Sequence, residues 1–396
     1  MGRLGNTGPM SFEFLSGINM LGSSVLGIVI PFLFVLTPVV FFHELGHFLV
    51  ARWCGVKILV FSIGFGPELF GFNDRHGTRW KIAAIPLGGY VKFFGDENAA
   101  SAPDLAAIAR MTQEQRRESF IDQSVGRRAA IVCAGPLANF VLAIAIFASL
   151  FAIFGKPSTS PRVDAVQPGS AAETAGFKPG DLVLSINGSP IDSFSDMQQI
   201  VSTSAGETLL FEVERGGSHV EFKAVPALKE VKDRFGNVHH QGILGITRSP
   251  SPDDAHFQPV GAFKALELGV QRTWFVAERT LSYIGGVIVG REAPDQLGGP
   301  IRIAQVSGQV AAEGLPSLIS LAAVLSVSIG LLNLFPVPLL DGGHLLFYLI
   351  EAARGRPLSE RAQEVGFRIG LAIVLMLMIF ATYNDVLQLW RSNTGS

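Results

Sequence analysis

Charge is what this chain has little of. Only 16% of its 396 residues are charged and 48% are hydrophobic, whereas a soluble globular protein carries about 25% charged residues. The deficit points to a polytopic membrane protein that also carries a polar domain. Net charge is -2, so nothing suggests nucleic-acid binding. Cysteine is nearly missing. Cys54 and Cys133 are the two present and form no C-x-x-C pair, which excludes a disulfide-dense scaffold. Both lie beside or inside apolar segments and read as buried packing residues rather than metal ligands.

Long apolar runs are what the chain has instead. A hydrocarbon core needs about 20 apolar residues, and four stretches supply them, at roughly 20–50, 129–154, 316–340 and 366–388. The first is too long for a signal-peptide core, and no small-residue cleavage site follows it. Four crossings put both termini on one side. Lys and Arg crowd 52–128, from Arg52 and Lys57 to Arg127 and Arg128, and recur at Arg354, Arg356 and Arg361. Cytoplasmic loops carry that excess, so 52–128 and 351–365 are expected in the cytoplasm. Residues 156–315 and both termini are then expected outside it.

The first run, VLGIVIPFLFVLTPVVFF at 25–42, leads without a charge into His43-Glu44-Leu45-Gly46-His47. Positions i and i+4 share a helix face, so His43 and His47 can bind one metal ion. Glu44 lies beside them and can reach a water at that metal as general base. Each ionisable group in a membrane segment costs about 2.5–3.5 kcal/mol on insertion scales, so three polar groups here imply function, namely hydrolysis within the bilayer. The bland alternative is a helix end whose histidines meet headgroups.

Residues 56–95 alternate apolar and polar positions around Gly-rich turns, which are hairpin signals. The segment is too apolar to be fully solvated, and a β-hairpin lying against or dipping into the membrane is expected. The other reading is a small cytoplasmic sheet. Residues 96–128 form a polar, partly helical connector. Residues 160–250 are the one clear soluble domain, and they resemble a PDZ domain. The resemblance rests on Pro168-Gly169-Ser170-Ala171-Ala172, Ala175-Gly176, Gly180-Asp181 and Ile186-Asn187-Gly188. It implies capture of an added peptide strand and its carboxylate, with Gly242, Ile243, Leu244, Gly245 and Ile246 as the carboxylate loop. Residues 258–314 are amphipathic and expected on the membrane surface, or alternatively as an extra buried helix.

Two histidines leave a catalytic zinc site one protein ligand short. His76 is a candidate in an exposed-looking turn. Asp341 is the better one, in Asn333-Leu-Phe-Pro336-Val-Pro338-Leu-Leu-Asp341-Gly342-Gly343-His344, where the prolines break the helix. A carboxylate beside two imidazoles suits Zn²⁺. His344 is a further ligand or ligand-supporting candidate, and an Asp that caps the next helix is the plain alternative.

Taken together, the chain resembles a site-2 protease, an intramembrane zinc metalloprotease, of the bacterial regulator-of-sigma-E type. HELGH at 43–47, PLGGYVKFFG at 86–95, GRRAAIVCAGPLANF at 126–140, the PDZ domain, LGGPI at 297–301 and NLFPVPLLDGGH at 333–344 carry the resemblance. It implies one Zn²⁺ on His43, His47 and Asp341, with Glu44 as catalytic base. It further implies that Asn333, Pro336 and Pro338 help hold substrate, and that the 86–95 hairpin is a membrane re-entrant β-loop. An edge strand near Gly89–Phe94, with Gly89, Tyr90 and Val91, is expected to pair with unwound substrate. Single-pass membrane proteins already trimmed by another protease, such as anti-sigma factors, would be substrates in a bacterial inner membrane. Some relatives carry two tandem PDZ domains, and one is visible here.

The expected fold is a polytopic α-helical membrane protein with four transmembrane helices, a membrane-associated β-hairpin region and an inserted α+β PDZ domain. Its parts are 1–55 with HExxH, 56–128 with hairpin and connector, the second span at 129–155 and the PDZ domain at 160–250. An amphipathic surface segment at 251–314 follows, then the third span with LDG at 315–345, and last the loop, fourth span and C-terminus at 346–396.

Overall fold

The structure, a computed structural model, describes residues 25–95, 110–191, 193–232, 238–248, 255–290 and 298–394. The N-terminal tail, the first part of the 96–128 connector and Leu297 of the LGGPI stretch lie outside them. In chain order come α1 (Val25–Trp53), β1 (Ile58–Asn73), β2 (Arg79–Phe93), α2 (Gln113–Glu118) and α3 (Val125–Phe154). Then follow β3 (Lys156–Thr159), β4 (Ala165–Val166), α4 (Ala171–Ala175), β5 (Leu182–Ile186), β6 (Ser189–Pro190) and α5 (Phe194–Thr203). Next are β7 (Leu209–Arg215), β8 (Ser218–Ala224), β9 (Ala227–Lys232), β10 (Val238–Ile243), β11 (Ile246–Thr247) and β12 (Ala255–Gln258). The chain closes with α6 (Ala262–Ile288), α7 (Pro300–Glu313), α8 (Leu315–Leu334), α9 (Asp341–Arg354) and α10 (Glu360–Thr394). Two compact units result: Met1–Leu150 with Phe263–Ser396, and Phe151–Ala262.

In the first unit, four helices are long and apolar enough to cross a membrane: Val25–Trp53, Val125–Phe154, Leu315–Leu334 and Arg361–Leu387. Along α1 the buried positions Val35, Val39, His43 and His47 recur every four residues. One helix face therefore passes from apolar packing to the two candidate ligands His43 and His47. The third crossing is shorter than the apolar run suggests. Pro336 and Pro338 force Phe335 and Val337 out of the helical region, α8 stops at Leu334, and a new helix begins at Asp341. Arg128 at the start of α3 bonds Glu351 of α9 at 2.6 Å and lies over the Tyr348 ring, which fixes α9 against α3.

The amphipathic stretch forms two helices that pack on the crossings. Gly269 of α6 faces the α3 backbone at Ile144 and Ala148, and Gly308 of α7 faces Gly27 and Ile28 of α1. The N-terminus of α7 has no cap of its own. Asp385 of α10 accepts hydrogen bonds from the N–H groups of Gly299 and Arg302, at 2.9 and 3.0 Å.

The hairpin is bent rather than flat. Ile58–Ile63 pairs with Gly89–Phe93, while Val60–Ile63 also meets Arg79–Ile82, which in turn pairs with Phe70–Asn73. At its turn, Asp74 accepts from Arg52, Trp80 and the N–H groups of His76 and Thr78. Burial pushes the Asp74 carboxyl up, but these bonds prevail and hold it well below the usual carboxylate range.

The second unit is an α+β domain built on a four-stranded sheet of order β6-β5-β7-β8. Its core holds Val163, Phe177, Val183, Ile186, Met197, Val201, Phe211 and Val213. Ser170 caps α4 by accepting from Glu173 N–H, and Gly176 ends it in the left-handed region at φ 94°. Asp181 is fully buried and takes both bonds of a bidentate Arg215 pair, each 2.7 Å long.

Candidate functional site

Two helices bring the ligand candidates together. His43 and His47 stand one turn apart on α1, and Asp341 opens α9. His43 Nε2 and His47 Nε2 are 3.3 Å apart, and Asp341 Oδ2 lies 3.3 Å from the first and 3.4 Å from the second. A tetrahedral ion with bonds of about 2.0–2.1 Å sets its ligands about 3.3–3.4 Å apart, so the triangle matches one Zn²⁺. The donor chemistry agrees. Asp341 Oδ2 is buried without a hydrogen bond although both rings are near, an orphaned acceptor that a metal ion would satisfy. Asp341 does not cap its own helix, which carries no side-chain cap. Three protein ligands that leave a fourth position for water are the pattern of a catalytic zinc site.

α3 packs directly behind the candidate ligands. His47 Nδ1–H donates to the Ile131 carbonyl at 2.9 Å, which leaves the Nε2 lone pair toward the metal position. His43 Nδ1 lies 3.3 Å from the Asn139 side-chain amide. Gly135 must be glycine, since a Cβ there would fall 2.2 Å from His47 Nε2. Sequence reasoning used the GPLAN stretch only as part of a resemblance. A glycine, a proline and an amide inside an apolar span were the signal that it builds the site.

A cavity of about 590 Å³ opens at the ligands, lined by Glu44, Asn333, His344 and the β2 residues Gly89, Tyr90 and Val91. A Cβ on Gly89 would fall 2.9 Å from Glu44 Cγ, so glycine lets the strand press against the acid-bearing helix. Pro336 and Pro338 do not line the cavity. They make the break between α8 and α9, where Leu339 is held at φ 108°, a strained conformation for a bulky residue, worth about 1–3 kcal/mol. His76 sits in the hairpin turn instead, and among the described residues the group able to hold a metal is His43, His47 and Asp341. Cys54 and Cys133 are free and half-buried. In the second unit, Gly242, Ile243, Leu244, Gly245 and Ile246 line a separate groove of about 210 Å³ with Phe194, Met197 and Val201 of α5.

The sequence profile of Peptidase family M50 matches residues 31–377. The chain belongs to that family. A protein named as a zinc metalloprotease in Agrobacterium fabrum is 51% identical over 92% of this chain and 96% of its own length. One so named in Rhizobium meliloti is 52% identical over 90% and 95%. Metalloprotease MmpA of Caulobacter vibrioides is 41% identical over 90% and 95%. Among solved structures, the PDZ domain of an SdrC-like protein from Listeria monocytogenes matches 22% of this chain and 83% of that one, at 22% identity and a TM-score of 0.17. The M50 chain described here is a membrane-embedded zinc metalloprotease.

Proposed function

We propose that this protease cuts peptide bonds within the transmembrane segments of single-pass membrane proteins already trimmed by another protease, an anti-sigma factor being one such substrate. The observation that carries the reading is the placement of His43, Glu44 and His47 on a helix apolar enough to cross a membrane, with Asp341 closing the set. Zinc held by His43, His47 and Asp341 would supply a Lewis acid for the scissile carbonyl and the attacking water. Glu44 is placed to take the proton from the attacking water and hand it to the leaving amine. A helical substrate hides its carbonyls in its own hydrogen bonds and must unwind first. The Gly89–Val91 strand lines the cavity beside Glu44 and receives the unwound stretch as an added strand. Asn333, which lines the same cavity, holds substrate, and Pro336 and Pro338 end α8 just beyond it.

In this reading the chain sits in a bacterial inner membrane. Residues 52–128 and 351–365 face the cytoplasm, while the second unit and both termini lie outside it, in line with the Lys/Arg bias. The second unit acts as a PDZ domain, and its Gly242–Ile246 groove reads the new C-terminus left by the first cut.

The test is cleavage of a trimmed single-pass substrate in detergent by wild type and Glu44→Gln, with zinc counted in both. Cutting by wild type alone, with about one zinc per chain in each, is the expected result. No cutting by either protein, together with peptide binding by the second unit, overturns the reading in favour of a membrane-anchored PDZ scaffold.

A further inference from the structure

We infer that Asn139 is a positioning residue of the metal centre: its amide oxygen accepts a hydrogen bond from His43 Nδ1–H and so holds the His43 tautomer whose Nε2 lone pair faces the metal. The inference rests on His43, His47 and Asp341 being the zinc ligands.

Asn139 is fully buried in the middle of α3, inside a helix apolar enough to cross a membrane. An amide is costly there unless it is bonded. Its Nδ2 lies 3.3 Å from His43 Nδ1, and its Oδ1 has no partner. With Nδ2 in that place, Nδ2–H would donate to Nδ1 and the imidazole proton would sit on Nε2. That atom, however, faces His47 Nε2 and Asp341 Oδ2, both 3.3 Å away, where a ligand must present a lone pair. The proton therefore belongs on Nδ1, and donor would face donor. A half-turn of the amide exchanges its oxygen and nitrogen and puts Oδ1 against Nδ1–H. The same turn carries Nδ2 to the buried position of Oδ1, so the gain is at His43 alone.

The backbone at Asn139 is tied separately to α8. The Asn139 carbonyl accepts from Ser326 Oγ of α8 at 2.8 Å, with both residues fully buried. One helix thereby supplies an acceptor to each histidine, the Ile131 carbonyl to His47 and the Asn139 amide to His43. Such partners fix ring orientation and raise ligand basicity, and their loss typically costs about 10–100-fold in metal affinity or activity.

The test is zinc affinity of the full-length protein in detergent, measured by chelator competition. Asn139→Leu keeps the volume without an acceptor and is expected to weaken zinc about 10–100-fold. Asn139→Asp keeps an oxygen toward Nδ1–H and is expected to stay within about threefold of wild type. The visible absorption of the cobalt-loaded protein should change in Asn139→Leu and stay the same in Asn139→Asp. Ser326→Ala, which unties α3 from α8 and leaves the amide, should bind zinc like wild type. If Asn139→Leu does not fold, Asn139→Ala carries the same expectation. Wild-type affinity in Asn139→Leu overturns the inference, and so does an Asn139→Asp as weak as Asn139→Leu. Wild-type zinc affinity in His43→Ala overturns the ligand assignment itself. Loss of zinc there, with Asn139→Leu unchanged, overturns the role of Asn139 alone.

Discussion

The two units differ in what they leave on the outside. In Phe151–Ala262 the large apolar side chains turn inward, with Phe211, Val183 and Val213 fully buried. In the other unit Leu26, Phe34, Leu49, Val141 and Ile379 face outward along the crossings, while His43, His47, Asn139, Ser326 and Asp385 are buried. The surroundings make the difference. In water, burial of apolar area is worth about 25 cal/mol per Å² and drives folding. Lipid is as apolar as leucine, so helices there associate through close packing and polar contacts. The close approaches of Gly46 to Ala134, Gly269 to Ala148 and Gly330 to Pro136 are of this kind.

Substitutions that act on one unit and spare the other test this contrast. The largest effect is expected from Asp341→Asn. It should lose zinc and with it several kcal/mol of transition-state stabilisation, at least about 10³-fold in cleavage. Amide hydrogen exchange in β5 and β7 should not change. Faster exchange there would mean that the metal centre also supports the second unit.

Phe211→Ala should do the reverse. Emptying the centre of a water-facing core costs about 3–5 kcal/mol. Protection of β7 should fall accordingly while zinc content stays at the wild-type level.

The Asp181–Arg215 pair gives the next largest effect and a pH signature. Burial pushes the Asp181 carboxyl up, but the Arg215 bonds and the Lys178 N–H outweigh it and hold the group below its ordinary range. A carboxyl lowered in the folded state contributes its stability above about pH 3.9, its unfolded value. That contribution is lost as pH falls from there toward the folded value. Asp181→Asn should cost about 2–3 kcal/mol at pH 7, toward the low end for a buried pair because Arg215 is partly exposed. Its exchange protection, corrected for intrinsic rates, should decline less on acidification than that of wild type. An identical acid profile in the two proteins would exclude the pair as the source.

The smallest effect sharpens the contrast most. Leu375 is exposed on the fourth crossing, so Leu375→Ala should change stability in detergent by no more than about 0.5 kcal/mol. Leu209→Ala, in the core of the second unit, should cost about 2–5 kcal/mol. Equal costs would mean that the face holding Leu375 is packed against protein.

Local pattern alone determined a good deal. Apolar length marked four crossings, and the i, i+4 spacing put His43 and His47 on one face of a helix, because both properties belong to a single continuous segment. The alternation in 56–95 and the glycine turns of 160–250 were legible for the same reason. Asp341 could be singled out as the kind of residue that completes the set, but its closeness to the histidines is a fact of packing across nearly 300 residues of chain. The tertiary structure alone decided that Pro336 and Pro338, which end α8, do not line the cavity, that α6 and α7 pack on the crossings, and that Gly135 and Asn139 of α3 stand behind the candidate ligands. A hydrogen bond between His43 and Asn139 joins positions 96 apart. No periodicity within either helix encodes it, because periodicity records which face a residue occupies and not which helix that face will meet.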